Sequence, residues 1–229
     1  MLLMRQSIGT VAYMGGLMSL PEAFCWSLIQ MIQYTNEHLC GPNQIVHLTK
    51  SITSYHAWAR NGIANDVLGD WVLMLDTDQT FEPDLLCRMV SLLNEFDLDV
   101  LTGLYHYKIP PHNPVLYAWE PNKRQFHGIA GWQTTGRLLR VDCAGGGCLM
   151  IRRRVFERIT NELHQKPFDP IGEWSEDFSF FVRLIQLGIK TYCAPDIETY
   201  HLMVQPIGSE HADYMDVSKA PPELVKQMA

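Results

Sequence analysis

Two aspartates that follow a short apolar run are the first residues whose types and spacing suggest chemistry. Trp71–Leu75 is apolar at every position, which is typical of a parallel strand buried on both faces, and Asp76 and Asp78 come after it. Ligands of open α/β sheets bind beyond the carboxyl ends of the strands. Because Mg²⁺ and Mn²⁺ take oxygen ligands and keep positions for substrate phosphate, the pair is a candidate metal site. The alternative is that these aspartates only cap the next helix.

A second acidic pair, Glu176 and Asp177, stands at the start of an apolar helix that the pattern predicts over residues 176–187. A carboxylate in that place can take a proton from a substrate hydroxyl as a general base. The helix dipole also favours acidic residues in a first turn, so a structural role is the alternative. His201 follows the last predicted strand, residues 190–194, after a turn. A lone histidine is more often structural, but imidazole is a good Mn²⁺ ligand beside two carboxylates.

Glycines 145–147 and arginines 152–154 form the third group. Consecutive glycines let the backbone approach a ligand closely, or they mark a bulged strand. The arginines begin a solvent-exposed helix, or one of them meets a diphosphate. The residue types leave both alternatives open for each run.

The predicted secondary structure decides where these groups lie. Strands are predicted at residues 8–14, 44–48, 71–75 and 99–104. Apolar stripes mark the three helices between them: Phe24, Leu28, Met31 and Ile32 in the first, Ile52, Tyr55, Ala59, Ile63 and Val67 in the second, and Leu86, Met89, Val90 and Leu93 in the third, which starts at Glu82-Pro83. This order predicts a parallel sheet with helices on both faces. Residues 105–140, rich in proline, glycine and aromatic side chains, are predicted as loops with short strands.

The composition predicts one globular protein of moderate size. The chain has 229 residues, of which 47% are apolar and 19% are charged, which favours a single large α/β unit and excludes disorder. A formal net charge of −7 argues against general nucleic-acid binding. The six cysteines show no metal-site spacing and are expected to be reduced thiols. Without a convincing signal peptide or transmembrane run, a cytoplasmic location is expected, with attachment to a membrane surface left open.

These groups, in this order, resemble a glycosyltransferase of the GT-A type, close in pattern to the family-2 enzymes and their retaining relatives. Four segments carry the resemblance: Ala59-Arg60-Asn61 with Ala64, WVLMLDTDQTFEPDLL, DCAGGGCLMIRRRVF, and GEWSEDFSFFVRLIQLG with His201 downstream. The resemblance implies the GT-A fold, a Rossmann-like and mostly parallel sheet flanked by helices, as a single domain over residues 1–204. It further implies a nucleotide-binding half at 1–104, an acceptor and catalytic half at 105–204, and a C-terminal tail at 205–229.

The resemblance also implies an activity, the metal-dependent transfer of a sugar from a nucleotide-diphosphate sugar to a hydroxyl acceptor on a glycan, a lipid or a protein. Mn²⁺ or Mg²⁺ would be held by Asp76, Asp78 and His201, and Asp76 would also contact the ribose. Asp177 would be the catalytic base of an inverting enzyme, and Glu176 would hold the acceptor or orient the site. The donor site would be lined by Arg60, Gly15, Gly146 and Gly147.

Two segments depart from the family-2 pattern. Those enzymes usually have a proline-containing end of the first strand and an acidic residue after the second, but here these places hold Tyr13-Met14-Gly15-Gly16 and Thr49-Lys50-Ser51. The identity of the nucleotide base is therefore open. The sugar, the acceptor, the stereochemistry and the oligomeric state are open as well, because the motifs do not bear on them.

Two other functions fit part of the pattern. Asp76-Thr77-Asp78-Gln79-Thr80 matches D-x-D-x-T, the first motif of haloacid-dehalogenase-like phosphatases, in which Asp76 would be the nucleophile and Asp78 the general acid. Against this, the motif follows the third predicted strand and is not near the N-terminus. The other alternative is a sugar-nucleotide-binding protein without turnover, since a fold does not fix a function. Five aromatic residues either face an acceptor or pack the core: Tyr105, Tyr107, Tyr117, Trp119 and Trp132.

Overall fold

The computed structural model describes residues 6–15, 20–53, 55–129 and 136–203. The first half of the chain contains β1 Gln6–Met14, α1 Glu22–His38, β2 Gln44–Ser51, α2 His56–Asn65, β3 Trp71–Leu75, β4 Gln79–Phe81, α3 Leu85–Glu95 and β5 Val100–Leu104. The second half contains β6 Leu116–Glu120, β7 Gln125–Gly128, β8 Leu139–Val141, β9 Cys143–Ala144, β10 Cys148–Arg152, α4 Arg153–Leu163, α5 Glu176–Gln186 and β11 Thr191–His201. The predicted tail at 205–229 lies outside the described residues, and the division of the chain at 104 and 204 stays a prediction.

One mixed sheet runs through the described part of the protein in the order β2-β1-β3-β10-β5-β11-β4, with β8 paired to β11. β2, β1 and β3 are parallel neighbours, and so are β5 and β11. β10 lies between β3 and β5 and is antiparallel to both, so β3 and β5 run in the same direction. The four strands predicted in the first half are therefore all parallel. The predicted mostly parallel sheet is confirmed, with β10 inserted as an antiparallel strand whose place and direction in the sheet the local pattern did not predict.

Apolar layers cover both faces of this sheet. One layer joins α1 and α3 to the sheet through side chains such as Phe24 and Met89, and the other joins α2, α4 and α5 through side chains such as Phe180. β3 contributes alternate side chains to the two layers, Leu73 to the first and Met74 to the second. Every residue of β3 is buried, as expected of a strand that is covered on both faces. The first polar residue after β3 is Asp76.

Three predicted boundaries were wrong. α2 is shorter than its predicted stripe, because Ile52 and Tyr55 lie before the helix with exposed side chains. α3 begins at Leu85 and not at Glu82-Pro83, because β4 and a turn come first. β11 continues through the predicted turn as far as His201, because its last residues pair with β4.

A second, antiparallel sheet has the strand order β7-β6-β9. Its strands β6 and β7 lie in the region 105–140 that was predicted as loops with short strands, and β9 follows that region. β6 pairs with β7 over four residue pairs and with β9 over two. β9 also lies against α5. The small sheet therefore places aromatic residues of β6 and β7 near the start of α5.

All six cysteines are free thiols. Burial raises the pKa of Cys148 to about 12, so this thiol is protonated and serves as a packing group. Among the helices that the structure describes, none is long and apolar enough to cross a membrane.

Candidate active site

Several chain segments meet where β3 ends. The main-chain N–H of Asp76 donates to the carbonyl oxygen of Gly147 over 2.9 Å, which joins the end of β3 to the glycine run before β10. Arg60 of α2 contacts both of these segments and also Glu176 at the start of α5. The structure thus brings together five residues that the sequence singled out: Asp76, Arg60, Gly146, Gly147 and Glu176.

Arg60 is the buried link between these segments, with only 4% of its side chain exposed. Its Nη2 donates to Asp76 Oδ1 over 3.2 Å, and its Nε donates to Glu176 Oε1 over 3.4 Å. Its Nη1 donates to the carbonyl oxygen of Gly146 over 3.0 Å. Burial lowers the pKa of Arg60, but the negative charges around it, including that of Asp177, more than offset burial and leave the pKa above its ordinary value. Arg60 is therefore a charged positioning residue, and its predicted contact with a donor stays a prediction.

Arg60→Met is expected to lower the free energy of unfolding by about 2–4 kcal/mol, because Asp76 and Glu176 would lose their buried partner. Urea unfolding of the variant and the wild type measures this loss. Arg153→Met is the control, since Arg153 is exposed and pairs with Glu157 on the surface of α4, and a change below about 0.5 kcal/mol is expected there. Equal losses in the two variants would contradict the linking role of Arg60.

The glycine run is explained by close approach of side chains from the same chain. A Cβ atom on Gly146 would lie 2.3 Å from Arg60 Cζ, and one on Gly147 would lie 2.2 Å from Gln79 Nε2. Any larger residue would displace these side chains. Contact of the run with a ligand is not needed to explain the glycines and stays a prediction. Gly15 lies at the same edge of the sheet, where its N–H donates to the last carbonyl of β2 over 2.9 Å.

The arginine run 152–154 is not part of this site. Arg152 pairs with Trp71 at the amino end of β3, so the run lies at the edge of the sheet opposite Asp76. The guanidinium group of Arg152 donates to Asn94 Oδ1 over 2.7 Å, and that of Arg154 donates to Asp99 Oδ1 over 2.6 Å. Of the two alternatives, the start of a helix with paired, partly exposed arginines is therefore the correct one.

Asp78 has a different partner from Asp76. Lys108 Nζ donates to Asp78 Oδ2 over 2.5 Å, with 38% of the lysine side chain and 45% of the aspartate side chain exposed. The main-chain oxygen of Asp78 accepts a hydrogen bond from the N–H of Leu202 over 2.7 Å, so Asp78 lies beside the end of β11. Sequence reasoning missed Lys108, because it lies 30 positions away in a stretch without periodicity.

His201 is brought to this place by the pairing of β4 with β11, which sets it opposite Gln79. Its Nδ1 lies 2.5 Å from the carbonyl oxygen of His106, to which it donates. Gln79 Oε1 accepts a hydrogen bond from Thr199 Oγ1 over 2.6 Å. The NH2 group of Gln79 therefore faces His201 Nε2, at 3.4 Å, and donates to it. Nε2 then carries the lone pair. An imidazole oriented by a carbonyl in this way is suited to bind a metal, and an ion on Nε2 would replace the long contact from Gln79.

The donor atoms near Asp78 fit part of the coordination of a divalent cation. Asp78 supplies carboxylate oxygens and His201 supplies an imidazole nitrogen, and Mn²⁺ accepts both. Asp76, the third predicted ligand, is paired with Arg60. Among the side chains that the structure describes, no group of three His, Cys, Asp or Glu is arranged to hold a metal ion. An ion held by Asp78 and His201 would complete its coordination with water molecules and substrate phosphate. Mg²⁺ usually keeps several of its water ligands in this way.

The acidic pair lies in the first turn of α5, as predicted, and its two carboxylates differ in their surroundings. Glu176 is 14% exposed, is bound to Arg60 and lies 3.7 Å from Nδ1 of His56. Asp177 Oδ1 accepts hydrogen bonds from the N–H of Phe178 over 2.8 Å and from the hydroxyl of Ser175. Both of these bonds involve one oxygen and come from neighbours in the chain. Asp177 is therefore the carboxylate of the pair that is better suited to accept a proton.

An aromatic cluster beside Asp177 consists of Tyr117, Trp119, Phe126, Trp174 and Phe178. The rings of Trp174 and Phe178 are stacked, with centroids 5.6 Å apart and planes at 9°, and Phe126 meets both rings. Trp174 also lines a cavity of about 500 Å³. Sequence reasoning named Tyr117 and Trp119 only, although the positions of Trp174 and Phe178 on either side of the acidic pair were a signal.

The other three predicted aromatic residues have different places. Tyr105 is buried, and its hydroxyl accepts a hydrogen bond from the N–H of Gly147 over 3.1 Å. Burial raises the pKa of Tyr105 well above its ordinary value, so the hydroxyl stays neutral. Tyr107 is exposed, and its hydroxyl contacts that of Tyr117. Trp132 lies outside the described residues.

Two solved structures share this arrangement of sheet and helices. A197 from STIV superimposes with a TM-score of 0.54 at 17% sequence identity, over 85% of this chain and 86% of that chain. GalNAc-T7, solved with UDP, GalNAc and Mn²⁺, superimposes with a TM-score of 0.59 at 15% identity, over 87% of this chain and 44% of that chain. This chain thus spans less than half of the GalNAc-T7 chain. The fold is that of the GT-A glycosyltransferases.

Sequence comparison identifies the family. The model of glycosyl transferase family 2 matches residues 31–160, more than half of the chain, and the chain belongs to this family. A search of curated protein sequences finds no match. The protein is therefore a glycosyltransferase, and the phosphatase alternative with Asp76 as nucleophile is wrong. The matched region includes Asp78 and the glycine run but ends before Asp177 and His201, so the roles of these two residues depend on the site geometry.

Proposed function

We propose that this chain transfers a sugar from a nucleotide-diphosphate sugar to a hydroxyl acceptor with the help of a divalent metal ion. The observation that carries the proposal is the link through Arg60, which holds Asp76 and Glu176 at one edge of the sheet. Asp177 follows Glu176 in the same helical turn. A donor bound at Asp76 and Asp78 would thus lie near a carboxylate that can act as a base.

On the donor side, Asp78 and His201 would hold Mn²⁺ or Mg²⁺, and Asp76 would contact the ribose and the metal-bound water. When bound, the ion supplies positive charge that stabilises the leaving nucleoside diphosphate. Gly15 and the backbone of Gly146 and Gly147 would border the donor. Their location supports this, because β1 and the glycine run reach the same edge of the sheet as β3.

On the acceptor side, Asp177 would take the proton from the acceptor hydroxyl as that oxygen attacks the sugar, which makes the enzyme inverting. Glu176 would orient the first turn of α5 through its bond to Arg60. The aromatic cluster beside Asp177 would offer ring faces to the acceptor, since flat amphipathic surfaces of this kind suit sugars. The acceptor would then bind on the half-exposed rings of this cluster, where α5 meets the small sheet.

Trp174→Ala is expected to raise the KM for the acceptor by about tenfold, because the half-exposed ring stacks on Phe178, the residue next to Asp177, and stacking contacts of this kind contribute about 1 kcal/mol or more. The Kd of the donor should not change. Steady-state kinetics with varied acceptor measure the first quantity, and calorimetric titration of donor measures the second. Trp26→Ala on the exposed face of α1 is the control. A loss of donor affinity in Trp174→Ala would contradict a role on the acceptor side.

The proposal is tested first by thermal unfolding with UDP, GDP, ADP, CDP or dTDP, each with and without Mn²⁺. UDP is the first candidate, because the structural neighbour GalNAc-T7 was solved with UDP and Mn²⁺. A ligand at 100 times its Kd adds about 2.7 kcal/mol of stability, which is readily measured. Stabilisation by one nucleotide only when Mn²⁺ is present would support the proposal and identify the base. No stabilisation by any of the five nucleotides would count against it.

The proposal includes a cytoplasmic location. All six cysteines are free, and free thiols are maintained in reducing compartments. Fractionation of cells that express the tagged protein would test this part separately from the activity.

A further inference from the structure

A short hairpin over residues 105–115 contacts both candidate metal ligands. Backbone hydrogen bonds join its two arms. The carbonyl oxygen of His106 accepts the Nδ1 hydrogen of His201, and two residues later Lys108 Nζ donates to Asp78. The 105–115 hairpin is thus connected to the site by a backbone contact on one ligand and by a flexible, charged side chain on the other.

The ammonium group of Lys108 lies where a cation would bind Asp78. With Nζ 2.5 Å from Oδ2, a divalent ion on the same carboxylate would meet the repulsion of a positive charge in contact with it. Both side chains of the pair are more than one third exposed, so the pair is weak and opens at little cost. Lysine carries its charge on a flexible four-carbon stem, and this charge binds phosphate as well as carboxylate.

We propose that Lys108 changes partner when the donor site fills. Before the ion binds, its ammonium neutralises Asp78. When a divalent ion and a nucleoside diphosphate bind, the ammonium leaves Asp78 to the ion and binds the diphosphate. The inference rests on the proposed function, because it takes Asp78 as a metal ligand. It assigns two opposite effects to one side chain, since Lys108 weakens binding of the ion alone and strengthens binding of the diphosphate.

Isothermal titration calorimetry on the full chain tests both effects with two probes, Mn²⁺ alone and inorganic pyrophosphate added to the Mn²⁺-loaded protein. In Lys108→Met we expect the Kd of Mn²⁺ to fall by about fivefold, equal to about 1 kcal/mol, because an exposed pair is worth no more than that. We expect the Kd of pyrophosphate to rise by about tenfold, equal to about 1.4 kcal/mol. Lys123→Met is the matched control, because Lys123 is exposed and pairs with Glu120 in the turn after β6. Lys108→Arg keeps the charge, and both of its affinities should stay near those of the wild type.

The outcomes separate this proposal from the proposed function. Wild-type binding of Mn²⁺ with unchanged affinities in Lys108→Met would overturn the change of partner and leave the metal site standing. Weaker Mn²⁺ binding in Lys108→Met would also overturn it, because Lys108 would then support the ion. Absence of Mn²⁺ binding to the wild type would overturn the metal site of the proposed function and this proposal together. If Lys108→Met does not fold, Lys108→Gln is used in its place with the same expected result.

Discussion

Replacing Asp78 with alanine is expected to abolish metal-dependent donor binding. In the proposed site the ion is held by Asp78 and His201, so the variant loses a charged oxygen ligand that water cannot replace. We expect the Kd of the nucleotide in the presence of Mn²⁺ to rise at least 100-fold, which corresponds to about 2.7 kcal/mol. Calorimetric titration with the nucleotide selected by thermal unfolding, in Mn²⁺ and in EDTA, measures this change.

Two controls separate loss of the ligand from loss of the fold. The Asp78–Lys108 pair is partly exposed, so Asp78→Ala should change the free energy of unfolding by less than about 1 kcal/mol. Asp66→Ala removes an exposed aspartate at the end of α2 and should bind nucleotide like the wild type. A folded Asp78→Ala protein that binds nucleotide normally in Mn²⁺ would show that the metal site is wrongly placed.

Asp177→Asn is expected to leave donor binding intact and to lower kcat for transfer by about 10²- to 10⁴-fold, the usual contribution of a general base. Asparagine retains an oxygen that can accept the hydrogen bonds from Phe178 and Ser175, so the start of α5 should keep its conformation. Initial rates of sugar transfer measure the loss. Calorimetric titration shows whether the Kd of the donor is unchanged.

The matched control for this variant is Asp66→Asn, which makes the same chemical change at an exposed position outside the site. Normal transfer by Asp177→Asn would show that Asp177 is not the base. A parallel loss of donor binding would instead indicate that Asp177 shapes the donor site, as its electrostatic effect on Arg60 would allow.

Local patterns were sufficient for the strand that precedes Asp76 and for the start of the helix that carries Glu176 and Asp177. The apolar run predicted β3 with its observed ends, Trp71–Leu75, because burial on both faces demands an apolar residue at every position. The start of α5 at Glu176 was also predicted, since acidic residues favour a first turn and the apolar spacing follows. Both features depend on neighbours within a few residues.

Other parts of the fold depend on pairing between distant segments. β10 enters the sheet between β3 and β5, and β4 pairs with the end of β11. β4 has only three residues, too few for a periodic pattern, and therefore the sequence did not reveal it. The same pairing extends β11 to His201 and places that residue next to Asp78 in space.

Local sequence patterns were enough to predict the class of fold, the edge of the sheet at which the chemistry lies, and the residue types available there, because periodic burial and the alternation of strands and helices along the chain depend on nearby residues. The tertiary structure decided which of these residues are partners. Arg60 meets Glu176 across 116 positions, and Gln79 meets His201 across 122. The partner of a charged side chain depends on the order of strands in the sheet, and this order follows from the packing of the whole chain. For this reason Arg60 became a buried link and Lys108 came to lie on Asp78.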